Sequence, residues 1–228
     1  MEGNRVVLMG CQAVLMDLEG TLLPVTYVRQ TLFPYARTHM AAFVAERGDR
    51  EDVWPLLKEA RRLLGDPAMT DDALVKEMER WIDEDRKYAP LKLIQTMIWE
   101  EGYCSGELQA PFYGDVRGCF QRWREAGLNL YIFSACAVRA QKLHLAFSAD
   151  GDLCTFISGH FDIRFGSKKE PLSYAKIAQA TGHQVGDFLF LSDDAEELDA
   201  AIAAGFAGLR VARDGQAGPG VVVSLCAV

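Results

Sequence analysis

From about residue 115 onward, short apolar runs alternate with segments of helical spacing. Helix is expected near 116–126, strand over 128–133, helix over 137–147 and strand near 156–161. Helix over 171–181, strand over 187–192, helix over 195–203 and strand over 208–212 complete the series. Such alternation implies a parallel sheet with crossover helices. Gly127 and Gly205 fall where helix C-caps belong. The run Val221-Val222-Val223-Ser224-Leu225 is a candidate edge strand. One more apolar run, Ala13-Val14-Leu15-Met16, lies far upstream with no partner of its own and must join the same sheet. The fold class expected is α/β, a doubly wound parallel sheet.

Between that first strand and the rest, about residues 24–113, the pattern is helical. Val28, Leu32, Ala36, Met40 and Phe43 recur at helical spacing, and so do Val53, Leu57, Ala60 and Leu64, with Pro67 as a stop. Leu74, Met78, Trp81 and Asp85 make a third set, and Leu91, Ile94 and Ile98 a fourth. Trp81, Trp99 and Trp123 are expected in cores. The domain reading is a core of residues 1–23 and 114–228 with residues 24–113 as a helical cap insertion. An insertion directly after a strand end belongs over the crevice as a lid; the plain alternative is a helical domain unrelated to the site.

The chemistry gathers at strand ends. The first strand runs into Asp17-Leu18-Glu19-Gly20-Thr21, two carboxylates two residues apart that would point the same way along a strand. Like charges so placed repel, and a hard oxygen-seeking cation such as Mg²⁺ is the natural compensation. The plain alternative is a solvated acidic turn. Tyr131-Ile132-Phe133 ends in Ser134, Phe188-Leu189-Phe190-Leu191-Ser192 ends in Asp193-Asp194, and Gly166-Ser167-Lys168-Lys169 places cations in a loop. In an open parallel sheet the carboxyl ends of the strands face one crevice. Carboxylates, a lysine and a hydroxyl gathered there suit phosphoryl transfer.

The chain has 228 residues, half of them hydrophobic, enough for one large domain or a domain with an insert. Its net charge is −8 and its basic clusters are only pairs, which excludes a nucleic-acid footprint. No apolar stretch approaches the roughly 20 residues that cross a bilayer, and residues 1–5 do not lead into a secretory signal. The six cysteines (11, 104, 119, 136, 154, 226) form no C-x-x-C pair and read as buried reduced thiols in a cytoplasmic protein. The four histidines form no metal-binding pattern.

With these residues in view, the chain resembles the haloacid-dehalogenase-like phosphatases and, more narrowly, the enolase-phosphatases (acireductone synthases) of methionine salvage. The superfamily writes D-x-D-x-T; the narrower family writes D-x-E-G-T, as Asp17 to Thr21 does. Similarity extends through Leu32-Phe33-Pro34-Tyr35-Ala36-Arg37, Leu91-Lys92, Gln95 and Gly102-Tyr103 in the insertion. It continues through Asp115-Val116, Ala140-Gln141-Lys142-Leu143, Gly166, Lys168 and Phe190-Leu191-Ser192-Asp193. The resemblance implies Asp17 as the nucleophile that forms an aspartyl-phosphate and as an Mg²⁺ ligand. It implies Glu19 as general acid/base with its backbone carbonyl on the metal, and Asp193 as the third metal contact. Ser134, Ala135 and Lys168 would hold the substrate phosphate. The family reaction enolises 2,3-diketo-5-methylthiopentyl-1-phosphate and then removes its phosphate. The implied partner is thus a small phosphorylated metabolite, with no nucleic acid and no membrane, and a cytoplasmic monomer is expected.

The chain departs from the family at one loop. Where the family writes S-S-G-S, this chain has Ser134-Ala135-Cys136-Ala137, and F-D-T becomes Phe161-Asp162-Ile163. Cys136 in place of glycine is expected to narrow or reshape the turn, and Ala135 keeps a backbone N–H but no hydroxyl. Three readings follow: the salvage enolase-phosphatase, a related Mg²⁺-dependent phosphatase with another small phosphoester, and a non-catalytic relative. Glu197, at helical spacing from Asp193, either faces the site or caps a helix. Asp194 is expected to be solvated or capping, and Lys169 and Arg164 solvated.

Overall fold

The computed structural model describes residue 8, residues 10–216, residue 218 and residues 220–228. The chain divides into two compact units, one comprising the chain up to Val25 together with Gln109–Val228, the other Thr26–Leu108.

The first unit is built on β1 (Ala13–Met16), β2 (Asn129–Phe133), β3 (Gly159–Phe161), β4 (Phe188–Ser192), β5 (Ala207–Val211) and β6 (Val221–Val222). These form one sheet of order β3-β2-β1-β4-β5-β6, with every adjacent pair of strands parallel. Every residue of β1 is fully buried, as a central strand covered on both faces requires. The edge strand β6 holds only two of the five residues that the sequence offered.

The unit's helices are α6 (Val116–Glu125), α7 (Val138–Ala146), α8 (Pro171–Thr181) and α9 (Ala195–Ala203), numbered after those of the helical unit. Helices α6 and α9 each end one residue before a C-cap alanine, and Gly127 and Gly205 follow at positive φ, as expected. Under α8 and α9 one face of the sheet buries an aromatic core. Phe188 stacks on Phe206 with ring centroids 4.5 Å apart. Tyr174 of α8 meets Phe133, Phe190 and Phe206 edge-on. Each such ring, fully buried, stabilises the fold by roughly 1.5–3 kcal/mol.

The path of the chain positions the site. From β1 it adds β2 and β3 on one side, then returns past both to place β4 against the other side of β1. The order therefore reverses between β1 and β4, the point where open α/β sheets bind ligands at their carboxyl ends. The register sets Met16 opposite both Ile132 and Leu191. Asp17, Ser134 and Asp193 thus leave the sheet at one edge, within a residue of each other in register.

The helical unit contains the rest of α1 (Val25–Tyr27), a π-helical turn over Val28–Leu32, and α2 (Phe33–Arg47), α3 (Trp54–Leu64), α4 (Asp71–Asp83) and α5 (Ala89–Ser105). Trp99 of α5 donates to the Leu32 carbonyl at 2.8 Å and stacks on Phe33. A Cβ at Gly102 would lie 2.6 Å from the Tyr35 ring, so glycine lets α2 and α5 approach. Trp81, Trp99 and Trp123 are buried as expected. Asp85 is not part of the third helix: α4 stops at Asp83, and Asp85 is exposed at φ 49°. A charged residue at that position of the apolar stripe has nothing to bury, so the helix ends before it.

The cysteine expectation needs correction. No disulfide joins the six cysteines, but only Cys119 is buried, while Cys104 and Cys226 are exposed. Scattered cysteines are small enough to tolerate intermediate positions, and spacing says nothing about burial. No helix among the described residues is long and apolar enough to cross a membrane.

Candidate active site

The loop after β1 is held by its own backbone. The Asp17 N–H extends the ladder by donating to the Leu191 carbonyl at 2.9 Å. The Leu18 carbonyl then accepts from both Leu22 and Leu23, and Gly20 N–H donates to the Leu23 carbonyl at 2.7 Å. Since β1 ends at Met16, Asp17 and Glu19 lie in this turn and not on a strand, contrary to the expectation that a shared strand face would align them. Asp17 is buried and Glu19 half-buried.

Gly20 has φ +89° and faces Asp193. A Cβ there would fall 2.4 Å from Asp193 Oδ2, so only glycine admits the carboxylate. Thr21 completes the grip. Its hydroxyl donates to Asp193 Oδ1 at 3.1 Å and accepts from the Asp193 N–H at 3.0 Å. Asp194, whose alternatives were solvated or capping, caps α9 by accepting from the Glu196 and Glu197 N–H groups.

Lys168 is the cation of the site. Its ammonium contacts Asp17 Oδ1 and lies 2.6 Å from Glu197 Oε2. The Ser192 hydroxyl donates to that same Glu197 oxygen at 2.9 Å. The Tyr174 hydroxyl reaches the Lys168 carbonyl at 2.6 Å and the Glu197 carbonyl at 3.0 Å, tying the aromatic core to both site residues. Burial alone would lower the Lys168 pKa, but the Asp17 and Glu197 carboxylates outweigh it and hold it above its ordinary value. Burial pushes the Asp17 carboxyl up to about 7; Lys168 opposes this, while Glu197 and Asp193 add to it.

The loop after β2 closes without strain. Ser134 is buried, and its hydroxyl accepts from the Cys136 N–H at 3.1 Å. Among the described residues the only non-glycine at positive φ is Asp85, so Cys136 adopts an ordinary backbone here and the turn does not require glycine. Gln141 Nε2 braces the loop by donating to the Cys136 and Phe161 carbonyls, each at 2.8 Å. Ala135 is exposed, leaving its backbone open to a ligand.

The fold thus gathers Asp17, Glu19, Ser134, Ala135, Lys168 and Asp193 at the carboxyl ends of β1, β2 and β4 and the loop before α8. Lys169 and Arg164 are exposed, as expected; Lys169 pairs with the exposed Glu196 and Arg164 with the buried Asp162. Glu197, left open by the sequence, faces the site. Sequence reasoning did not assign Ser192 or Tyr174 a supporting role; Ser192 entered only as a position matching the family, and the spacing from Asp193 to Glu197 was the signal for Glu197.

No group of three or more His, Cys, Asp and Glu side chains among the described residues is arranged to hold a metal. The oxygen groups gathered at this edge include two carboxylates, Asp17 and Asp193, with the Glu19 carbonyl nearby in the chain. That all-oxygen set suits Mg²⁺, which typically takes one or two carboxylates and completes its shell with water and phosphate. The negative charge of Asp17, Asp193 and Glu197 against one lysine is an excess that a cation would relieve.

Known proteins share this arrangement of strands and loops. The haloacid dehalogenase-like hydrolase family matches residues 11–205. A protein named enolase-phosphatase E1 from Methylococcus capsulatus is 43% identical over 206 residues, covering 90% of this chain and 91% of its own. Another of that name from Pseudomonas syringae pv. syringae is 44% identical over 209 residues, covering 92% of each. The crystal structure of the UTR4 protein from Saccharomyces cerevisiae superposes with a TM-score of 0.78 at 31% identity, covering 92% of this chain and 93% of that one. An L-2-haloacid dehalogenase from Xanthobacter autotrophicus shares the fold, with a TM-score of 0.54 at 19% identity over 94% of this chain and 95% of that one.

Proposed function

The chain belongs to the haloacid dehalogenase-like hydrolases, among their enolase-phosphatases, and we propose that Asp17 is the nucleophile with which it removes phosphate from 2,3-diketo-5-methylthiopentyl-1-phosphate in methionine salvage. The observation that carries the reading is the pairing of buried Asp17 with Lys168 beside Asp193, which Thr21 and Gly20 hold in place.

The residues divide the work. Glu19 handles protons. In the enolisation half, a base takes a proton from the carbon next to a carbonyl, and donors from the β2 loop steady the enolate oxygen. In the phosphatase half, an Asp17 oxygen attacks phosphorus and the bond to the substrate oxygen breaks, with Glu19 giving that oxygen a proton. Glu19 then accepts a proton from the water that attacks the aspartyl-phosphate, which frees Asp17. Lys168, the Ser134 hydroxyl and the Ala135 N–H neutralise and orient the phosphate oxygens. Glu197 keeps Lys168 in position when Asp17 is committed to phosphorus. Asp17, Asp193 and the Glu19 carbonyl would hold Mg²⁺, which when bound supplies positive charge beside the phosphoryl oxygens.

The helical insertion, expected over residues 24–113 and containing the compact unit Thr26–Leu108, is proposed as a cap that excludes water during turnover. A cytoplasmic monomer acting on a small phosphorylated metabolite completes the reading; a reducing compartment suits six cysteines with no disulfide among them. A related phosphatase with another small phosphoester is the second reading, favoured by Ala135 and Cys136 in place of the family's serine and glycine.

The test is anaerobic incubation with the diketo phosphate and Mg²⁺, following enol absorbance and phosphate together. Both signals are expected from the wild type, while Asp17→Asn should release no phosphate and keep its circular dichroism. Phosphate without the enol signal would select the second reading, and turnover by Asp17→Asn would remove the aspartyl-phosphate mechanism.

A further inference from the structure

Outside the reacting set, one charged side chain reaches back to the acidic loop: Arg213, just beyond β5. It is nearly buried and is held at several of its atoms. Nη1 pairs with Asp115 Oδ2 at 2.8 Å. The guanidinium lies over the Tyr113 ring, 4.2 Å from its centroid. Nε donates to the Thr21 carbonyl at 2.8 Å, across 192 positions of chain.

The Thr21 contact gives this arginine a bearing on the site. The Thr21 hydroxyl orients the Asp193 carboxylate and binds the Asp193 N–H. The Leu22 carbonyl, next in the same loop, accepts from the Tyr113 N–H at 3.0 Å. Tyr113 and Arg213 therefore grip the loop together, and they stack on each other. Asp115 is in turn saturated on one oxygen, accepting from the Ser224 hydroxyl at 2.6 Å and the Leu225 N–H at 2.8 Å as well as from Arg213. Arg213 Nη2 and Asp115 Oδ1 are buried without hydrogen-bond partners among the described residues. A chain selected only for stability gains nothing from a buried guanidinium with an idle donor; an apolar pair would fill the space at least as well. What the guanidinium adds is a donor at a defined place beneath the Thr21 carbonyl, which a planar fork supplies and a flexible ammonium does not.

We propose that Arg213 is a positioning residue for the metal-binding carboxylate Asp193, acting through Thr21. Its anchor is Asp115, which the C-terminal segment at Ser224 and Leu225 holds in turn. The inference rests on the proposed role of Asp193 as a metal ligand. It extends the support of the metal carboxylate from Thr21, which touches it, to groups that hold the Thr21 loop; loss of a hydrogen-bond partner of a metal ligand typically costs about 10–100-fold in metal affinity.

The experiment measures cation binding apart from catalysis. Mn²⁺ serves as the probe, with free ion read by electron paramagnetic resonance, and Mg²⁺ activation of phosphate release is measured alongside. Arg213→Lys keeps a cation beside Asp115 but cannot serve Asp115 and the Thr21 carbonyl at once. It is expected to weaken Mn²⁺ binding about tenfold and to raise the Mg²⁺ needed for half-activation by a similar factor. At saturating Mg²⁺ its kcat should stay within about threefold of wild type, because no reacting group has been removed. Thr21→Val should weaken binding in the same way, and the double variant should be no weaker than the weaker single variant, since both act through one loop.

Unchanged Mn²⁺ binding in Arg213→Lys, or losses that multiply in the double variant, would overturn the inference while leaving the proposed reaction standing. Should Arg213→Lys fail to fold, Asp115→Asn provides the second measurement: weaker Mn²⁺ binding supports the inference and wild-type binding overturns it. A wild type that neither binds Mn²⁺ nor releases phosphate would remove the reading of the site itself, and the inference with it.

Discussion

Glu197 Oε2 lies 2.6 Å from Lys168 Nζ, so the ammonium that faces Asp17 is shared between two carboxylates. The arrangement separates two tasks. Asp17 is free to leave the lysine for phosphorus, and Glu197, itself held by Ser192, keeps the lysine where the phosphate arrives. A buried lysine with only one partner would be left uncompensated at that moment, which is costly in a low-dielectric interior.

Glu197→Gln should therefore lower kcat for phosphate release by about 10–100-fold, the range expected for losing a hydrogen bond to a charged group. The fold should survive, since glutamine fills the same volume. Steady-state kinetics with a matched thermal melt checks this; wild-type kcat would show that Asp17 alone suffices to place Lys168.

Gly20→Ala introduces a Cβ 2.4 Å from Asp193 Oδ2 at a residue with φ +89°. The strain should destabilise the protein by about 1–3 kcal/mol. The displaced carboxylate should raise the Mg²⁺ concentration for half-activation. Chemical denaturation and a Mg²⁺ titration measure the two effects separately, and an unchanged titration would mean that Asp193 does not bind the ion.

Burial pushes the His144 imidazole down to about 4, well below its ordinary value. His160 is likewise lowered to about 4, by burial first and then by Lys142. Between about pH 6.5, the ordinary histidine value, and pH 4, the unfolded chain takes up protons that the folded protein refuses. The stability due to these neutral rings is thus fully present above that window and is lost as pH falls through it. His144→Gln should show a shallower fall in Tm from pH 7 to pH 4.5 than wild type; equal slopes would show that His144 is protonated in the folded protein.

Among the cysteines, Cys226 is exposed, and hydrogen bonding from Ser224, with Cys119 and Arg122 contributing, holds its thiol below the ordinary value. Burial pushes Cys119 up to about 12 and Cys154 up to about 11. Since the thiolate is the reacting form, iodoacetamide at neutral pH should alkylate Cys226 before Cys119 or Cys154. Peptide mass mapping over time reads the order, and earlier labelling of Cys119 would contradict it.

Patterns local in the chain decided the elements of this protein: the buried runs at Ala13–Met16 and Phe188–Ser192, the helical spacing of Val28 to Phe43, and the caps at Gly127 and Gly205. Parallel topology followed from the alternation, and it brought Asp17, Ser134, Lys168 and Asp193 to one edge because carboxyl ends of parallel strands must share one. The amino-acid sequence by itself determined that much. What the tertiary structure alone decided are the contacts between residues far apart in sequence. Thr21 reaches Asp193 across 172 positions, Lys168 reaches Asp17 across 151, and Arg213 reaches Thr21 across 192. Such hydrogen bonds depend on the direction of single side chains once the sheet is assembled, and they leave no periodicity behind. The same holds for Cys136, whose fit in a turn that the family makes with glycine is a matter of backbone angles, and for Gly20, whose lack of a side chain matters only because Asp193 folds back against it.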